Sequence, residues 1–509
     1  MAKKPDPSQG TNKPLNLSPP VEGINADRFL MGMKPAEAVA MENFFPYADR
    51  LETRPGYVSH STAFAEIPLA LHTYSKGDGT QELFATCDDG VFAATSAGVV
   101  GTAEIALTEG RTVSTMISTG AGHYMFLVNG TDTLKRYDGT TWSSIATLGG
   151  VATETLSYIE TYRQRLYFVV KDSLSIAYLP VNSISGSLTN YSLGAIFRRG
   201  GYLVALATWT VDGGSGPDDY LVVFSSEGEL AVFTGNDPSY VTTWNLSGVY
   251  YLGKPLGRLP LFKYGGDLLV LCEEGLIPLS KKLQSTTIEK TTAISENIRP
   301  LLNEAARAYS SYDGWQVIYQ PDYPFILVNV PSFPTRKQYV MNAQTGAWTT
   351  FTGWEAYAFA RIGKELYFST ETSVCRVTGV SDDGANIVAA LLQAYSRLGS
   401  PKTKQIKLVK PYLAAAGAVS YTLGLAQDFS TIEEYTNPVI GVSVSLSLWG
   451  TGVWGTDVWG STEPETIQNW YTLPDGYSSW KAFYLSVSAN TTVVSYFGSD
   501  ALATVGGSF

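Results

Sequence analysis

The chain has 509 residues, more than the roughly 250–300 at which a single hydrophobic core stops growing, so more than one domain is expected. It is 44% hydrophobic and 12% aromatic, which excludes a disordered chain. A formal net charge of −11 argues against a protein that grips a nucleic-acid backbone, because such binding needs clustered Lys and Arg.

The few cysteines and histidines argue against a metal or redox site. Cys87, Cys272 and Cys375 form no Cys-x-x-Cys motif, and the three histidines lack ligand spacing, so neither a metal nor a cofactor is expected. The N-terminal Met1–Pro7 has no apolar core of a signal peptide. No run reaches the ~18 apolar residues of a membrane span. We therefore expect synthesis in the cytoplasm and thiols that behave as small buried hydrophobes.

Two segments precede the first repeated pattern. Residues 1–22 are polar and rich in proline, which predicts an extended arm that is ordered only if a partner holds it. Residues 23–65 form a candidate N-terminal assembly segment. Within it, Met33–Pro46 predicts a short helix, since Pro35 suits a first turn and Pro46 stops continuation.

A repeated hairpin pattern dominates the middle of the chain. Leu83–Thr95 and Leu268–Ser280 each place Cys, two carboxylates and Gly between short apolar runs. Such runs around an acidic turn predict a tight β-hairpin. Because a lone hairpin is marginal in water, repeated hairpins must stack on one another. We therefore predict a β-propeller over residues 66–380.

Seven such units can be counted, and we expect about seven blades, within a range of six to eight. The units contain Leu83–Thr95, Tyr124–Trp142, Arg165–Leu179, Tyr220–Thr234, Leu268–Ser280, Phe325–Trp348 and Glu365–Thr378. Trp142 and Trp348 each follow a glycine turn, which predicts an aromatic that packs on a neighbouring blade. One segment, Ser295–Tyr309, has helical periodicity, with Ser295 as a candidate N-cap.

The pattern changes after residue 380. Longer alternating runs, such as Lys404–Leu413 and Lys481–Val487, predict a C-terminal β-sandwich or platform domain over residues 381–509. The expected fold class is thus all-β: a propeller, a C-terminal β-sandwich and an extended N-terminal arm.

Paired carboxylates are the residues that most invite an enzymatic interpretation. They occur at Asp88-Asp89, Asp218-Asp219, Glu273-Glu274 and Asp382-Asp383. Each pair adjoins a turn, and adjacent residues on a strand point to opposite faces, so turn chemistry explains them better than glycoside hydrolysis. Asp138–Trp142 is similar to the aspartate box of sialidase propellers, but the leading serine spacing is missing. The sequence contains neither a nucleotide-binding P-loop nor a Gly-x-Ser-x-Gly elbow. We therefore expect that the protein is not an enzyme.

Two further patterns leave alternatives open. One is a basic run formed by Lys402, Lys404, Lys407 and Lys410. It is either a solvated lysine edge of a strand or a contact with a phosphate or a protein partner. The other is a Trp–Gly repeat at Trp449, Trp454 and Trp459. Its five-residue spacing fits neither strand nor helix, and it either fills a seam between domains or subunits or binds glycans.

Three groups of motifs resemble one protein family. The first comprises Asn16–Asn25, Ala38–Pro46 and Arg54–Tyr57; the second comprises Ala394–Gly399, Lys407–Tyr412 and Asp428-Phe429; the third comprises the Trp–Gly repeat and Asn469-Trp470. In this order they resemble the tail hub or nozzle proteins of short-tailed bacteriophages, the group that includes packaged-DNA stabilisation and tail tubular proteins.

That resemblance implies a structural virion protein, located in the tail after assembly in the host cytoplasm. It implies a ring, expected as a hexamer, below the portal and its adaptor, which continues and closes the DNA channel until ejection. Implied partners are further copies of the chain, the head-to-tail adaptor, spike or fibre proteins, and DNA that passes without specific binding. We expect the assembly interface to include Phe44, Phe45, Arg54, Pro55, Gly56, Trp449, Trp454 and Trp459.

Two other functions are compatible with the sequence. The Trp–Gly repeat keeps open a glycan-binding or glycan-cleaving propeller on a tail or cell surface. A cellular propeller that acts as a scaffold for protein partners is the third possibility. Neighbouring portal and terminase genes would separate the first function from the third.

Overall fold

The computed structural model describes residues 12–212, 217–240, 242–283, 293–430, 432–436 and 465–505. It divides into two compact units. Unit 1 comprises Met1–Val58, Tyr339–Gly353 and Thr378–Phe509, and unit 2 comprises Ser59–Gln338 and Trp354–Val377. Within the described ranges, no helix is long and apolar enough to cross a membrane.

The elements are numbered along the chain. The first strands are β1 (Asn12–Leu17), β2 (Gly23–Ile24), β3 (Glu37–Glu42), β4 (Phe44–Pro46), β5 (Leu51–Thr53) and β6 (Tyr57–Thr62). They are followed by β7 (Ala70–Ser75), β8 (Gln81–Cys87), β9 (Gly90–Ala93), β10 (Gly98–Val99), β11 (Val113–Thr119), β12 (Gly122–Val128), β13 (Leu134–Tyr137), β14 (Trp142–Ile145), β15 (Thr147–Leu148) and β16 (Val151–Ala152). Next come β17 (Leu156–Tyr162), β18 (Arg165–Val170), β19 (Ser175–Tyr178), β20 (Thr189–Ser192), β21 (Leu203–Asp212), β22 (Pro217–Ser225), β23 (Glu229–Gly235), β24 (Trp244–Tyr251), β25 (Leu261–Tyr264), β26 (Asp267–Cys272) and β27 (Gly275–Pro278).

Two helices then precede the remaining strands. These helices are α1 (Leu279–Leu283) and α2 (Arg299–Tyr309). The strands after them are β28 (Gln316–Gln320), β29 (Phe325–Val330), β30 (Lys337–Asn342), β31 (Trp348–Thr352), β32 (Phe359–Ile362), β33 (Glu365–Ser369) and β34 (Ser373–Val377). The last are β35 (Ile387–Gln393), β36 (Lys404–Ala415), β37 (Ser420–Gln427), β38 (Ile432–Thr436), β39 (Glu465–Ile467), β40 (Tyr471–Thr472), β41 (Lys481–Ala489) and β42 (Val494–Val505).

Unit 2 is a seven-bladed β-propeller. Its innermost strands are β7, β11, β17, β21, β25, β28 and β32; each contacts the next, and β32 returns to β7, so the ring is closed. Blades 1 to 5 are the antiparallel sheets β7–β9, β11–β14, β17–β20, β21–β24 and β25–β27. Blade 6 contributes the β28–β29 hairpin to unit 2. Blade 7 joins β32–β34 to β6, so an early strand completes the last sheet. This closure by both ends of the propeller segment confirms the predicted fold and its blade count.

The hairpin repeat forms as predicted. In blade 1, β8 and β9 pair so that Cys87 lies opposite Gly90 across the Asp88-Asp89 turn. In blade 5, Cys272 lies opposite Gly275 across Glu273-Glu274. Both cysteines are fully buried. The apolar runs therefore lie between blades, where a fully buried large side chain contributes about 1.5–3 kcal/mol.

Trp142 also packs as predicted. It begins β14, the outer strand of blade 2, and its ring meets the ring of Phe84 from blade 1 edge-on at 5.2 Å. Trp348 begins β31, which belongs to unit 1, and it is fully buried there.

Unit 1 contains two sheets that face each other. One has the order β39-β36-β42-β5-β4, with β1 paired to β42, and the other includes β31-β2-β3-β35-β41-β37-β38. Buried and half-buried residues alternate along β41, as expected for a strand with one face in a core. The rings of Phe483 on β41 and Tyr496 on β42 stack between the sheets at 6.4 Å. Unit 1 also takes in residues 1–58 and 339–353, which the sequence assigned to other segments.

The helix predicted over Met33–Pro46 is wrong. This segment forms β3 and β4 instead, with β3 parallel to β2 and antiparallel to β35. Asn43, whose φ is 55°, separates the two strands. The strand contacts are made by residues far away in the sequence, so tertiary pairing overrides the helical propensity of the Ala- and Glu-rich stretch.

Two other local predictions have mixed outcomes. The helix expected over Ser295–Tyr309 is present as α2, which buries Leu302, Ala305 and Ala306. Ser295 is not its side-chain N-cap, because its hydroxyl accepts a hydrogen bond from the Leu276 N–H at 3.0 Å. The N-terminal arm needs no partner chain over residues 12–17, since β1 pairs along its whole length with β42.

Candidate functional site

Arg54, predicted as an assembly contact, is the centre of a buried network in unit 1. Its side chain is 1% exposed and forms a two-pronged ion pair with Asp382, with N–O distances of 2.8 and 2.6 Å. The same guanidinium donates to the Thr352 carbonyl at 2.6 Å and to Asn43 Oδ1 at 2.9 Å. Arg54 therefore ties together three segments that are far apart in the sequence. The planar guanidinium can donate two parallel hydrogen bonds to one carboxylate, which the ammonium group of a lysine cannot do.

The glycines beside this network are needed for close backbone approach. A Cβ on Gly56 would lie 2.0 Å from the Ser381 carbonyl oxygen. A Cβ on Gly353, whose φ is +86°, would lie 2.7 Å from Arg54 Nη2. The Arg54-Pro55-Gly56 motif thus has a reason within the chain: arginine supplies the fork, and glycine admits the close approach of the Ser381-Asp382 backbone, which lies between β34 and β35.

Phe44, Phe45 and Pro55 are buried in the same unit. With Arg54 and Gly56, they present almost no surface to another molecule, so the structure assigns them to the interior of unit 1. Their assembly role stays a prediction, and Trp449, Trp454 and Trp459 lie outside the described residues.

The four lysines of the basic run do not share one environment. Lys402 and Lys407 are exposed on or beside β36 and are available to an anion. Lys410 is partly buried and lies 3.7 Å from the Asp500 carboxylate. Lys404 is 1% exposed, and its ammonium donates to the carbonyls of Ser400 and Lys402 at 2.6 and 2.8 Å. The prediction of a uniform solvated edge is therefore wrong for Lys404.

Lys404 also lies in a cationic neighbourhood. Burial lowers the pKa of Lys404, and the charges of Lys481 and Arg397 lower it further. Lys481 is itself buried and pairs with Asp475. Lys404 is thus a positioning group for the loop at residues 400–402, because its two acceptors are backbone carbonyls of that loop.

The acidic residues singled out in the sequence have different roles: Asp219, on strand β22, accepts a hydrogen bond from Thr210 Oγ1 on β21 at 2.8 Å. Asp88 Oδ1 accepts from the Gly110 N–H at 2.7 Å, and Asp138 Oδ1 accepts from the N–H groups of Thr140 and Thr141. These backbone hydrogen bonds lower the pKa of Asp138. Asp382 is the partner of Arg54. Among the described residues, no group of three or more His, Cys, Asp or Glu side chains is placed to hold a metal.

The thiols are chemically protected. Burial raises the pKa of Cys87 and of Cys272 to about 12, so both stay protonated at neutral pH. Cys272 Sγ lies 2.9 Å from the Leu252 carbonyl. This environment agrees with the expectation of small buried hydrophobes.

A cavity of about 250 Å³ lies inside the propeller ring. Its lining includes His72 from blade 1, Arg111 before blade 2, Arg258 before blade 5 and Trp315 before blade 6. The Arg258 guanidinium donates to the carbonyls of Arg111, Asn129 and Ser157 at 2.6, 2.8 and 2.7 Å. These acceptors belong to blades 2 and 3, so Arg258 reaches across the ring from the blade 5 side.

Arg258 was missed by sequence reasoning because it lies in a connecting loop without a motif. Burial lowers its pKa, whereas the carboxylates of Glu109 and Asp313 act in the opposite direction. Arg258 already bonds to three carbonyls of the chain, so this side chain braces the centre of the propeller.

His72 is held neutral at this cavity. Its ring nitrogens lie 2.8 Å from Ser114 Oγ and 2.6 Å from Thr112 Oγ1, and hydroxyls can pair with either tautomer. Burial lowers the pKa of His72 to about 3.

Because the folded pKa of His72 lies below the ordinary value of 6.5, the unfolded chain takes up its proton first as the pH falls. Its contribution to stability is complete above about pH 6.5 and declines by about 1.4 kcal/mol per pH unit down to about pH 3. The free energy of unfolding can be measured with urea at about pH 7.5 and pH 5 for the wild type and for His72→Gln. Between these two pH values it should fall by about 2 kcal/mol less in the variant than in the wild type. His123→Gln, at an exposed histidine, should retain the wild-type loss. Equal acid sensitivity in His72→Gln and the wild type would contradict this account.

No protein family model matches the chain, and no curated protein matches it. Solved structures, including a β-propeller domain, do resemble it. BBS1N, crystallised in complex with ARL6DN, has 12% identity and a TM-score of 0.39, with 64% of this chain and 98% of that chain covered. Raptor from Chaetomium thermophilum has 9% identity and a TM-score of 0.42, with 64% and 30% covered. The β-propeller domain of Cps50 (Swd1) from Myceliophteria thermophila has 9% identity and a TM-score of 0.39, with 64% and 99% covered. This likeness concerns the fold alone.

Proposed function

We propose that the chain is a structural subunit of a bacteriophage tail nozzle, which assembles into a ring below the portal and adaptor and lets the genome pass during ejection. The proposal rests on the resemblance of its motifs to tail hub and nozzle proteins. The location of these motifs supports the proposal. The described motifs from both ends of the chain, from Asn16–Asn25 to Asp428-Phe429, all belong to unit 1. Unit 1 is therefore the part of the chain that we propose to correspond to the tail hub and nozzle proteins.

The propeller suits a load-bearing subunit. Its ring of inner strands is closed and its centre is braced by Arg258, so it resists deformation as a block. The Arg258 and His72 side chains that line the central cavity already bond to the chain, which leaves them little capacity to engage a substrate. We therefore assign no catalytic residues, and we treat the protein as a non-enzymatic component.

The acidic balance suits a channel through which DNA slides. A chain with a net charge of −11 repels the phosphate backbone overall, so DNA that passes along it is not expected to be held. We expect no retention of duplex DNA in a gel-shift experiment, even at about 50 mM salt where backbone contacts are strongest. A shift that weakens steeply with salt would reveal a basic surface and contradict a sliding channel.

Self-assembly provides the direct test. Mass photometry of the purified full chain over a series of concentrations should show one discrete oligomer above the monomer, and negative-stain images of that oligomer should show a ring with an open centre. Six-fold symmetry is the expectation. A chain that stays monomeric at every concentration, or that forms open filaments, would contradict the proposed function.

A further inference from the structure

The outer edge of blade 4 differs from the outer edges of its neighbours in the propeller. Strand β24 is the last strand of its sheet, in the order β21-β22-β23-β24, and it has eight residues. The outer strands of blades 1, 2, 3 and 5, which are β9, β14, β20 and β27, have four residues each. Proteins commonly protect a long edge with charged residues or proline, but Trp244–Tyr251 contains neither.

The main chain of β24 is unpaired on its outer side. Among the described residues, the backbone of residues 245–251 forms hydrogen bonds with β23 and with no other strand. A bulge at Ser247 interrupts the pairing with β23, and residues 248–251 are in regular register with residues 229–232. The N–H and C=O groups that point away from β23 are therefore available to a further strand.

Three apolar side chains share one face of this edge. Leu246, Val249 and Tyr251 are 43, 38 and 36% exposed. They lie opposite positions 233, 231 and 229 of β23, which alternate along that strand, so all three project from the same face of the sheet. A segment that adds to the edge can cover them with its own alternate side chains.

Two arginines lie beside the end of β24. The Arg199 guanidinium stacks on the Tyr251 ring, 3.7 Å from the ring centroid. The main-chain N–H groups of Arg198 and Arg199 donate to the buried Glu229 carboxylate at 3.2 and 2.8 Å, which fixes the loop that carries both side chains. Both side chains are exposed, and neither guanidinium forms an ion pair with a carboxylate of the described residues.

This arginine pair identifies the charge of a suitable partner. It is the only place in the sequence where two arginines are adjacent, in a chain whose net charge is −11. A guanidinium binds a carboxylate through two parallel hydrogen bonds, and the stacking on Tyr251 holds Arg199 in place for such a contact. Charge complementarity therefore favours an acidic segment over a neutral or basic one.

We propose that β24 is a docking edge at which an extended, acidic segment of a partner protein adds to blade 4 as a further strand. Main-chain hydrogen bonds hold the segment, and its alternate apolar side chains cover Leu246 and Val249. Its carboxylates pair with Arg198 and Arg199. The inference does not rest on the proposed ring, since the edge is complete in a single copy of the chain.

Designed peptides test the recognition of such a segment. Two fluorescein-labelled peptides of about ten residues alternate valine and threonine and carry two glutamates, at the N-terminal end in one and at the C-terminal end in the other, so that both strand directions are covered. In fluorescence anisotropy with the purified full chain, one of the two should bind. Its counterpart with lysines in place of the glutamates should bind at least about 10-fold more weakly.

Two further measurements separate strand addition from side-chain contact alone. N-methylation of every second residue, applied to each alternate set in turn, removes main-chain donors without a change in charge, and in the set that faces β24 it should abolish binding. Amide exchange in residues 245–251 should slow when the peptide is bound, because the outward N–H groups gain acceptors.

Variants of the chain locate the site. Val249→Asn removes exposed apolar surface without a change in charge and should weaken binding at least about 5-fold. Arg198→Glu combined with Arg199→Glu should reverse the preference, so that the lysine peptide binds more tightly than the glutamate peptide. Val99→Asn is the matched control, since Val99 is 78% exposed on β10 of blade 7, and it should leave the affinity unchanged. Circular dichroism checks that each variant is folded.

Several results would overturn the docking edge. They are no binding of either glutamate peptide, equal binding of its lysine counterpart or of both N-methylated forms, and an equal loss in Val99→Asn. A wild-type oligomer that Val249→Asn dissociates would show that a second copy occupies the edge, which overturns the docking of a partner while the ring function stands. A wild type that stays monomeric but binds the glutamate peptide would overturn the ring and support the docking edge.

Discussion

Replacing Arg54 with alanine is expected to lower the free energy of unfolding of unit 1 by about 3–5 kcal/mol, the cost of leaving one member of a buried ion pair without its partner. The variant leaves the Asp382 carboxylate, whose side chain is only 12% exposed, without its two-pronged partner. It also strands the Thr352 carbonyl and removes one of the two donors to Asn43 Oδ1, which keeps the Thr352 N–H. Urea denaturation measures the loss. Hydrogen exchange should localise it to β3–β5, β31 and the segment around Asp382.

Arg50 provides the matched control because it also pairs with carboxylates, Asp49 and Glu52, but at the surface. Arg50→Ala should cost less than about 1 kcal/mol. Arg54→Lys keeps the charge but loses the fork, so it should fall between the wild type and Arg54→Ala. In a double-mutant cycle with Asp382→Asn, the two substitutions should be strongly non-additive. Additive effects, or equal losses in Arg50→Ala and Arg54→Ala, would show that the pair is not the source of the stability.

Arg54 illustrates what the sequence could and could not reveal. Its Arg-Pro-Gly motif predicts a contact with another subunit, whereas the structure pairs Arg54 with Asp382 of the same chain. The reason is that Asp382 lies 328 positions away and the turn signal of Asp382-Asp383 gives no hint of a distant arginine. Nothing in the local spacing of either motif encodes that they meet.

The hairpins were predictable because their causes are local. The Cys–acid–acid–Gly turns of blades 1 and 5 each need only a few adjacent residues to specify the reversal and the buried face. By contrast, the strand β6 completes blade 7 across more than 300 residues, and β3 forms by pairing with β2 and β35. A propensity for helix at Met33–Pro46 could not compete with these pairings, which are visible only once the chain is folded.

The loop between β2 and β3, in which Phe29 is 75% exposed, was missed for a related reason. A phenylalanine in a sequence usually indicates a core position, and no pattern marks one that stays exposed. Its exposure follows from Glu37, which holds both sides of the loop through Asn25, Arg28 and Lys34. The exposed position of Phe29 therefore depends on a buried carboxylate whose importance only its contacts reveal.

Replacing Arg258 with methionine is the second change with a large expected effect. The variant keeps most of the side-chain volume but removes three hydrogen bonds to the carbonyls of Arg111, Asn129 and Ser157. Bonds to a charged group contribute about 1.5–3 kcal/mol each, and the cost of burying the cation offsets part of the sum. We expect unit 2 to lose about 3–4 kcal/mol in urea denaturation. Amide exchange should become faster in blades 2 and 3, where the carbonyls lose their partner.

Arg361→Met is the control, because Arg361 is exposed and donates to a single carbonyl, that of Tyr319, at 3.2 Å. Its effect should remain within about 0.5 kcal/mol. Arg258→Lys, which keeps a cation but cannot reach three acceptors in a fixed plane, should recover only part of the loss. If Arg258→Met and Arg361→Met were equally mild, the centre of the propeller would not depend on this brace. Rigidity would then come from the interlocked blade cores alone, and the closed ring of inner strands would have to carry the load of the proposed nozzle without a central tie.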